Sequence, residues 1–392
     1  MSAVRILAEE LESPDFDPVE QALHAWEIRR TDPKESHRIA LYLIDHALEL
    51  DEPVVTGWAY LTCGVHELAQ SDFDQSSESF RSSIALFSRM GERRGESLAH
   101  VGLARLHMTK GEFQPALELY KAIIEREAHG LLAVEKFEAF NGIGGCFWGL
   151  DKMELCLLYL SKAYDVLKNS NLIVERATVL SNIGSALIKV GNHRSAHEFL
   201  AAAHSFAKGS TDRVLNFNIH ASLIACLIEL KEPGKALPIA VKLVRDFQDL
   251  LIAGPYNNAL CNVAVAFAYG KEWVLADHCL ATAAKIADEG SMTLAKVCVN
   301  LAQAQVAEVR GDYGVAIAKA EHLIEEQPAD LDADARSQLY SLLVNSYQKI
   351  GQHDAMVQFK KKKLELVDAR YSSGLAAAMV VLDLQSSLRT AA

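Results

Sequence analysis

One interval constrains this chain more than any other feature. A small residue opening an A-x-x-x-Φ pattern stands at Ser76, Ala116, Cys156, Ala196, Ala236, Ala276 and Ala316, each forty residues after the last, and the series runs on to Met356. Other positions keep the same phase. Twelve residues before the anchors lie Gly64, Ala104, Gly144, Gly184, Ile224, Ala264, Ala304 and Val344, most of them small. Three residues before the anchors lie Phe73, Phe113, Met153, His193, Pro233, Trp273, Tyr313 and His353, most of them aromatic rings. Turn pairs precede them, as in Gly111-Glu112, Gly191-Asn192, Gly311-Asp312 and Gly351-Gln352. A unit of this length cannot bury its apolar face alone and becomes stable only by stacking on its neighbours.

The pattern predicts pairs of antiparallel helices. Small residues let the two helices approach, and the ring at the turn fills the wedge toward the next pair. A more divergent unit precedes the series, with Ala40 as anchor, Ala47 seven residues later and Trp26 on its first helix. Between pairs, turn signals fall at Gly91, Gly130, Asn169-Ser170, Gly209-Ser210, Gly254-Pro255, Gly290 and Pro328. Half the residues are hydrophobic but only 7% are aromatic, so burial must come from Leu, Ala, Ile and Val. The expected fold is all-α: a right-handed superhelical solenoid of about nine helical hairpins over 18–363. An N-terminal segment, 1–17, precedes it, and a C-terminal capping or coiled-coil helix, 364–392, follows it.

The small, glycine and aromatic slots resemble the tetratricopeptide repeat over roughly residues 18 to 363. The period is forty rather than thirty-four, and the tryptophan slot of that repeat is mostly filled otherwise. HEAT and armadillo units also run near this length, but the glycine, polar, aromatic turn favours the tetratricopeptide-like reading. The opening stretch ALHAWEIRRTDPKESHRIALYLIDHALEL and the closing KKKKLELVDARYSSGLAAAMVVLDLQ resemble the sensory module of bacterial signalling proteins. In those proteins such repeats precede a linker helix and a diguanylate cyclase (GGDEF) or kinase domain. The resemblance implies an input module of a longer protein or a free-standing relative.

Several function classes are disfavoured. A net charge of −12 opposes a phosphate backbone, so no nucleic-acid partner is expected. The N-terminus carries acids where a secretory signal needs an apolar core, and the longest apolar run is Leu375 to Leu382. No membrane partner is expected either, and the location implied is cytoplasmic. The seven cysteines are an odd number with no C-x-x-C pair, which suits reduced core thiols. Gly142-x-Gly144-Gly145 sits in the middle of an expected first helix, not between a strand and a helix start, so it reads as close packing rather than a phosphate cradle. His193 and His197 share a helix face but lack a third ligand. No serine stands in a G-x-S-x-G elbow. No catalytic residue, metal or cofactor is expected, and the chain does not read as an enzyme.

The first helices of such an array line a groove. Residues about 100° round each helix from its packed stripe look into it. Asparagine recurs there, at Asn141, Asn182, Asn218, Asn258, Asn262 and Asn345. It is an indifferent helix former, so repetition inside helices needs a reason. An amide offers both a donor and an acceptor, and a row of them can pair with an extended peptide backbone whatever its sequence. Peptide receptors resembling kinesin light chains use asparagines in this manner, which implies such a role for Asn182 and Asn262. Arg105 is a candidate anchor for an acidic group. The lysine and asparagine clamp for a terminal carboxylate is not recognisable. The expected function is a non-catalytic regulatory module that captures a protein or peptide segment in a signalling pathway, with a possible homodimer through the C-terminal helix. The alternative is a structural adaptor or oligomerisation scaffold whose groove is idle.

Overall fold

The computed structural model describes residues 17–126, 133–252, 257–289, 293–326, 331, 333–367 and 385. Of the expected turn signals, Gly130, Gly254-Pro255, Gly290 and Pro328 lie outside the described residues, as do most of the segments 1–17 and 364–392. The chain divides into two compact units, Met1–Ser170 and Asn171–Ala392.

The first unit holds α1 (Pro18–Ile28), α2 (Pro33–Asp45), the short α3 (Ala47–Leu50), α4 (Pro53–Ala69), α5 (Phe73–Met90), α6 (Arg93–Thr109), α7 (Phe113–Arg126), α8 (Ala133–Gly149) and α9 (Met153–Leu167). The second unit begins with α10 (Ile173–Lys189), α11 (His193–Ala207), α12 (Arg213–Glu229), α13 (Pro233–Asp246) and the short α14 (Gln248–Leu251). It continues with α15 (Asn257–Tyr269), α16 (Trp273–Glu289), α17 (Thr293–Arg310), α18 (Tyr313–Glu326), α19 (Ala333–Ile350) and α20, over 353–367. No strand occurs among the described residues. The fold is all-α, and its helices pair into antiparallel hairpins as the repeat requires.

The second helices start where the aromatic slot predicts, on Phe73, Phe113, Met153, His193, Pro233, Trp273 and Tyr313. The turns before them share one geometry. Ser71, Gly111, Asp151, Gly191, Lys231, Lys271, Gly311 and Gly351, forty residues apart, all have positive φ. The next N–H then closes back on the first helix, as from Asn192 to the Leu187 carbonyl at 2.9 Å and from Glu232 to the Leu227 carbonyl at 2.9 Å. Carbonyls left open at the helix end accept these N–H groups in the left-handed closure. Glycine adopts it without strain, whereas Lys231 and Lys271 do not.

The small slots are packing positions. Ala116, Ala196, Ala236, Ala276 and Ala316 are fully buried. A Cβ on Gly184 would stand 2.6 Å from Leu200, and Ser76 donates to the Gly64 carbonyl at 2.9 Å across its hairpin. Gly142 is pressed against the Tyr120 ring, which leaves no room for a Cβ, so the glycines at 142, 144 and 145 serve helix approach. In the first unit, Phe80 and Phe87 fill the space between hairpins, with Trp58 edge-on to Phe87 at 5.4 Å. Truncating either ring costs about 3–5 kcal/mol.

Residues 364–367 of the expected C-terminal helix are the last turn of α20, so the boundary at 363/364 falls inside a helix. Phe359 anchors α20 by stacking on Tyr347, with centroids 5.9 Å apart. Beyond 367 only Gln385 is described. Its amide donates to Ser195 Oγ at 3.1 Å and to the Glu198 carboxylate at 2.9 Å, both on α11.

Candidate functional site

All six asparagines lie on first helices. In the second unit they fall into a stripe at intervals of four, three and four residues, which keeps one helix face. On α10 the stripe reads Thr178, Asn182, Ser185, Lys189; on α12, Asn218, Ser222, Ala225, Glu229; on α15, Asn258, Asn262, Val265, Tyr269. Gln305 and Glu308 continue it on α17, and Gln338, Ser341 and Asn345 on α19. Apart from buried Val265, these side chains are half-buried or exposed, so the stripe is the open face of the first helices.

Much of the stripe is satisfied from within. Ser185 and Ser222 share a hydrogen bond of 3.0 Å between α10 and α12. Gln305 donates to Gln338 at 3.2 Å between α17 and α19, and Gln338 in turn donates to Asp334 at 2.9 Å. Asn345 bonds to the Glu308 carboxylate. Thr178 bonds back to the Val174 carbonyl of its own helix at 2.8 Å. Asn182 also has an interaction within the protein. Between these rungs, Asn218, Asn258 and Asn262 have no hydrogen-bond partner among the described residues. The first two are exposed and the third half-buried.

Two of these helices carry an acid near the C-terminal end, Glu229 on α12 and Glu308 on α17. Burial pushes the carboxyl groups of Glu229 and Glu308 above the usual range, opposed at Glu229 by Lys231 and Lys363 and at Glu308 by the Asn345 hydrogen bond. Tyr269 lies between them; burial and the two carboxylates raise its hydroxyl above the ordinary tyrosine value.

The first unit differs. Arg105 on α6 pairs with Glu138 on α8, which is 6% exposed, and Arg30 stands 3.8 Å from the same carboxylate. Glu138 raises the Arg105 pKa further. Arg105, the expected anchor for a ligand's acidic group, therefore already holds an acid of its own chain, with Tyr120 beside it. Asn141, one turn along α8, also has an interaction within the protein. Arg29 lies over the Trp26 ring at 3.7 Å.

Sequence reasoning did not find Glu229 or Tyr269, although their forty-residue spacing was a signal. It also missed Asn257, which is 2% exposed and has neither amide atom bonded. No group of three or more His, Cys, Asp or Glu side chains able to hold a metal occurs among the described residues. No helix among them is long and apolar enough to cross a membrane.

No protein-family model matches the chain, and no curated protein matches it. Solved structures do. A Rap protein in complex with competence and sporulation factor is 14% identical, with a TM-score of 0.61, over 91% of this chain and 99% of that one. The apo form of RapI is 13% identical, with a TM-score of 0.58, over 89% and 97%. Aspartyl phosphate phosphatase F from Bacillus subtilis is 11% identical, with a TM-score of 0.50, over 90% and 94%. At such identities the likeness is one of fold: the chain shares with these proteins an array of helical hairpins along nearly its whole length.

Proposed function

We propose that this chain is a regulatory binding module whose second unit holds an extended peptide segment against the first-helix stripe. The observation that carries the reading is the gap in the internal hydrogen bonding. Ser185 with Ser222 and Gln305 with Gln338 are closed pairs, whereas Asn218, Asn258 and Asn262 between them present amides with no partner among the described residues. Amides on adjacent helices can each exchange two hydrogen bonds with a peptide backbone. The fold is shared with a Rap protein that was solved with a bound factor, which is compatible with this use. The acids Glu229 and Glu308 flank the window on the side of the helix C-termini.

Selection from a displayed library of random peptides tests it. Peptides enriched on the wild-type chain should lose at least tenfold in affinity for the triple variant N218A/N258A/N262A, at unchanged melting temperature. Failure to enrich any peptide, or equal affinity for the variant, defeats the reading.

A finer part of the reading concerns assembly. Val357, Leu364 and Val367 form an exposed stripe on α20, at 58%, 56% and 37% exposure, with the heptad-like spacing of a helix seam. This stripe is proposed to pair two copies of the chain.

A further inference from the structure

The contact between the first two hairpins of the first unit holds a feature unrelated to the groove. His37 of α2 and His66 of α4 stack face to face, with ring centroids 4.0 Å apart and planes 10° from parallel. Two neutral imidazoles tolerate this arrangement; two imidazolium ions at that distance repel. The Nδ1 atom of His37 is moreover buried without a hydrogen-bond partner. A proton there would sit on a buried nitrogen that has no hydrogen-bond partner, which is costly.

Neither ring forms an ion pair among the described residues. The elements packed on α2 and α4 are α1, α3, α5 and α6. They carry His24 and Glu27 on α1, Glu49 on α3, Asp74, Glu78 and Arg81 on α5, and Arg94, Glu96 and His100 on α6. On α2 itself stand Lys34, Glu35, Arg38 and Asp45, with Arg38 held by Glu35; on α4 stand Cys63 and Glu67. Burial holds both rings below the ordinary histidine value, first by desolvation and, at His37, also through its neighbour.

We propose that the His37–His66 stack is a proton-operated latch, which holds α2 on α4 while both rings are neutral and releases the Pro18–Asp45 hairpin when they are protonated. The sign follows from linkage. A histidine that binds protons less readily in the folded chain makes stability rise with pH. The latch is therefore fully closed above the free histidine pKa of about 6.5 and weakens as pH falls below it.

Hydrogen exchange of the full chain, followed by mass spectrometry and corrected for the intrinsic rate, reads the latch directly. Between about pH 7.5 and pH 5, amides of 18–45 should lose at least tenfold protection while those of α15 to α18 keep theirs. The variant H37F/H66F, whose rings stack but cannot be protonated, should show no such loss. An equal loss in that variant, or no loss in the wild type, overturns the proposal. Should H37F/H66F prove unfolded at pH 7.5, H66Q takes its place: it keeps one ring, and its acid-induced loss must be smaller than the wild type's, an equal loss again overturning the latch.

Discussion

Gln305 gives its side-chain amide to Gln338 at 3.2 Å, and the 33 residues between them also separate Arg105 from Glu138. A second offset, 37 residues, links Ser185 to Ser222, and Glu308 to Asn345 repeats it. Each is forty less one or two helical turns, so successive first helices slide past one another and their polar side chains meet on a diagonal. The open face is thus a set of rungs, and the proposed peptide window is where rungs are unmade among the described residues.

The Arg105 rung can be weighed by removing one end. Glu138 is almost fully buried, and if the Arg105 guanidinium goes only the more distant Arg30, 3.8 Å away, is left to offset its charge; because the Arg105 side chain is 41% exposed, the loss is moderated by solvent. R105L should cost about 1–2 kcal/mol in urea denaturation, and R105L/E138L should recover most of it. A single variant as stable as the wild type would show that the pair contributes nothing.

The left-handed turns offer a gain. Lys271 holds φ at 63°, a conformation that costs a residue with a Cβ about 1 kcal/mol, partly offset by the entropy glycine loses on folding. K271G should therefore stabilise the chain by about 0.5 kcal/mol, read as a higher melting temperature, whereas G111A should destabilise it by about 1 kcal/mol. Opposite signs would mean that the turns are not the strained element. Lys231 is a poorer test, since its charge also acts on Glu229 and Glu308.

Thiol chemistry follows from burial. Desolvation pushes the Cys63, Cys146 and Cys226 thiols up to about 12 and Cys279 to about 11, and Cys298 alone is half-buried rather than buried. Alkylation near pH 8 should label Cys298 first and the others only at the rate of local unfolding, because the thiolate is the reactive form. Rapid labelling of Cys63 in the native chain would contradict its placement.

Assembly is checked by sedimentation. L364E/V367E and deletion of 374–392 are each expected to shift a dimer to monomer. A wild-type chain that sediments as a monomer removes the α20 seam.

The hairpin frame was legible from residue spacing because it is local: small residues at Ala116 or Gly184 and rings at Phe73 or Trp273 mark contacts inside one unit or with the next. The open face was legible only in part. Six asparagines could be placed on first helices, but that Asn182 and Asn141 are engaged while Asn218, Asn258 and Asn262 have no partner among the described residues depends on the diagonal offset between helices, which no single unit displays. The same applies to Arg105, whose partner Glu138 stands on a different hairpin. The His37–His66 stack was hidden because the first hairpin departs from the forty-residue register, so the two rings share no slot.

The closure of every turn on its own backbone has a consequence for how such a chain can change length. Because the Asn192 and Glu232 N–H groups bond only to the helix just completed, no turn needs to know how many others there are. Whole modules of forty residues can be gained or lost while each remaining corner stays intact. A change of any other size inside a hairpin would break the phase on which its small residues meet, whereas the divergent first unit, whose anchor Ala40 precedes Ser76 by 36 residues, places such a change between hairpins. Within the forty-residue series, length is counted in quanta of one hairpin.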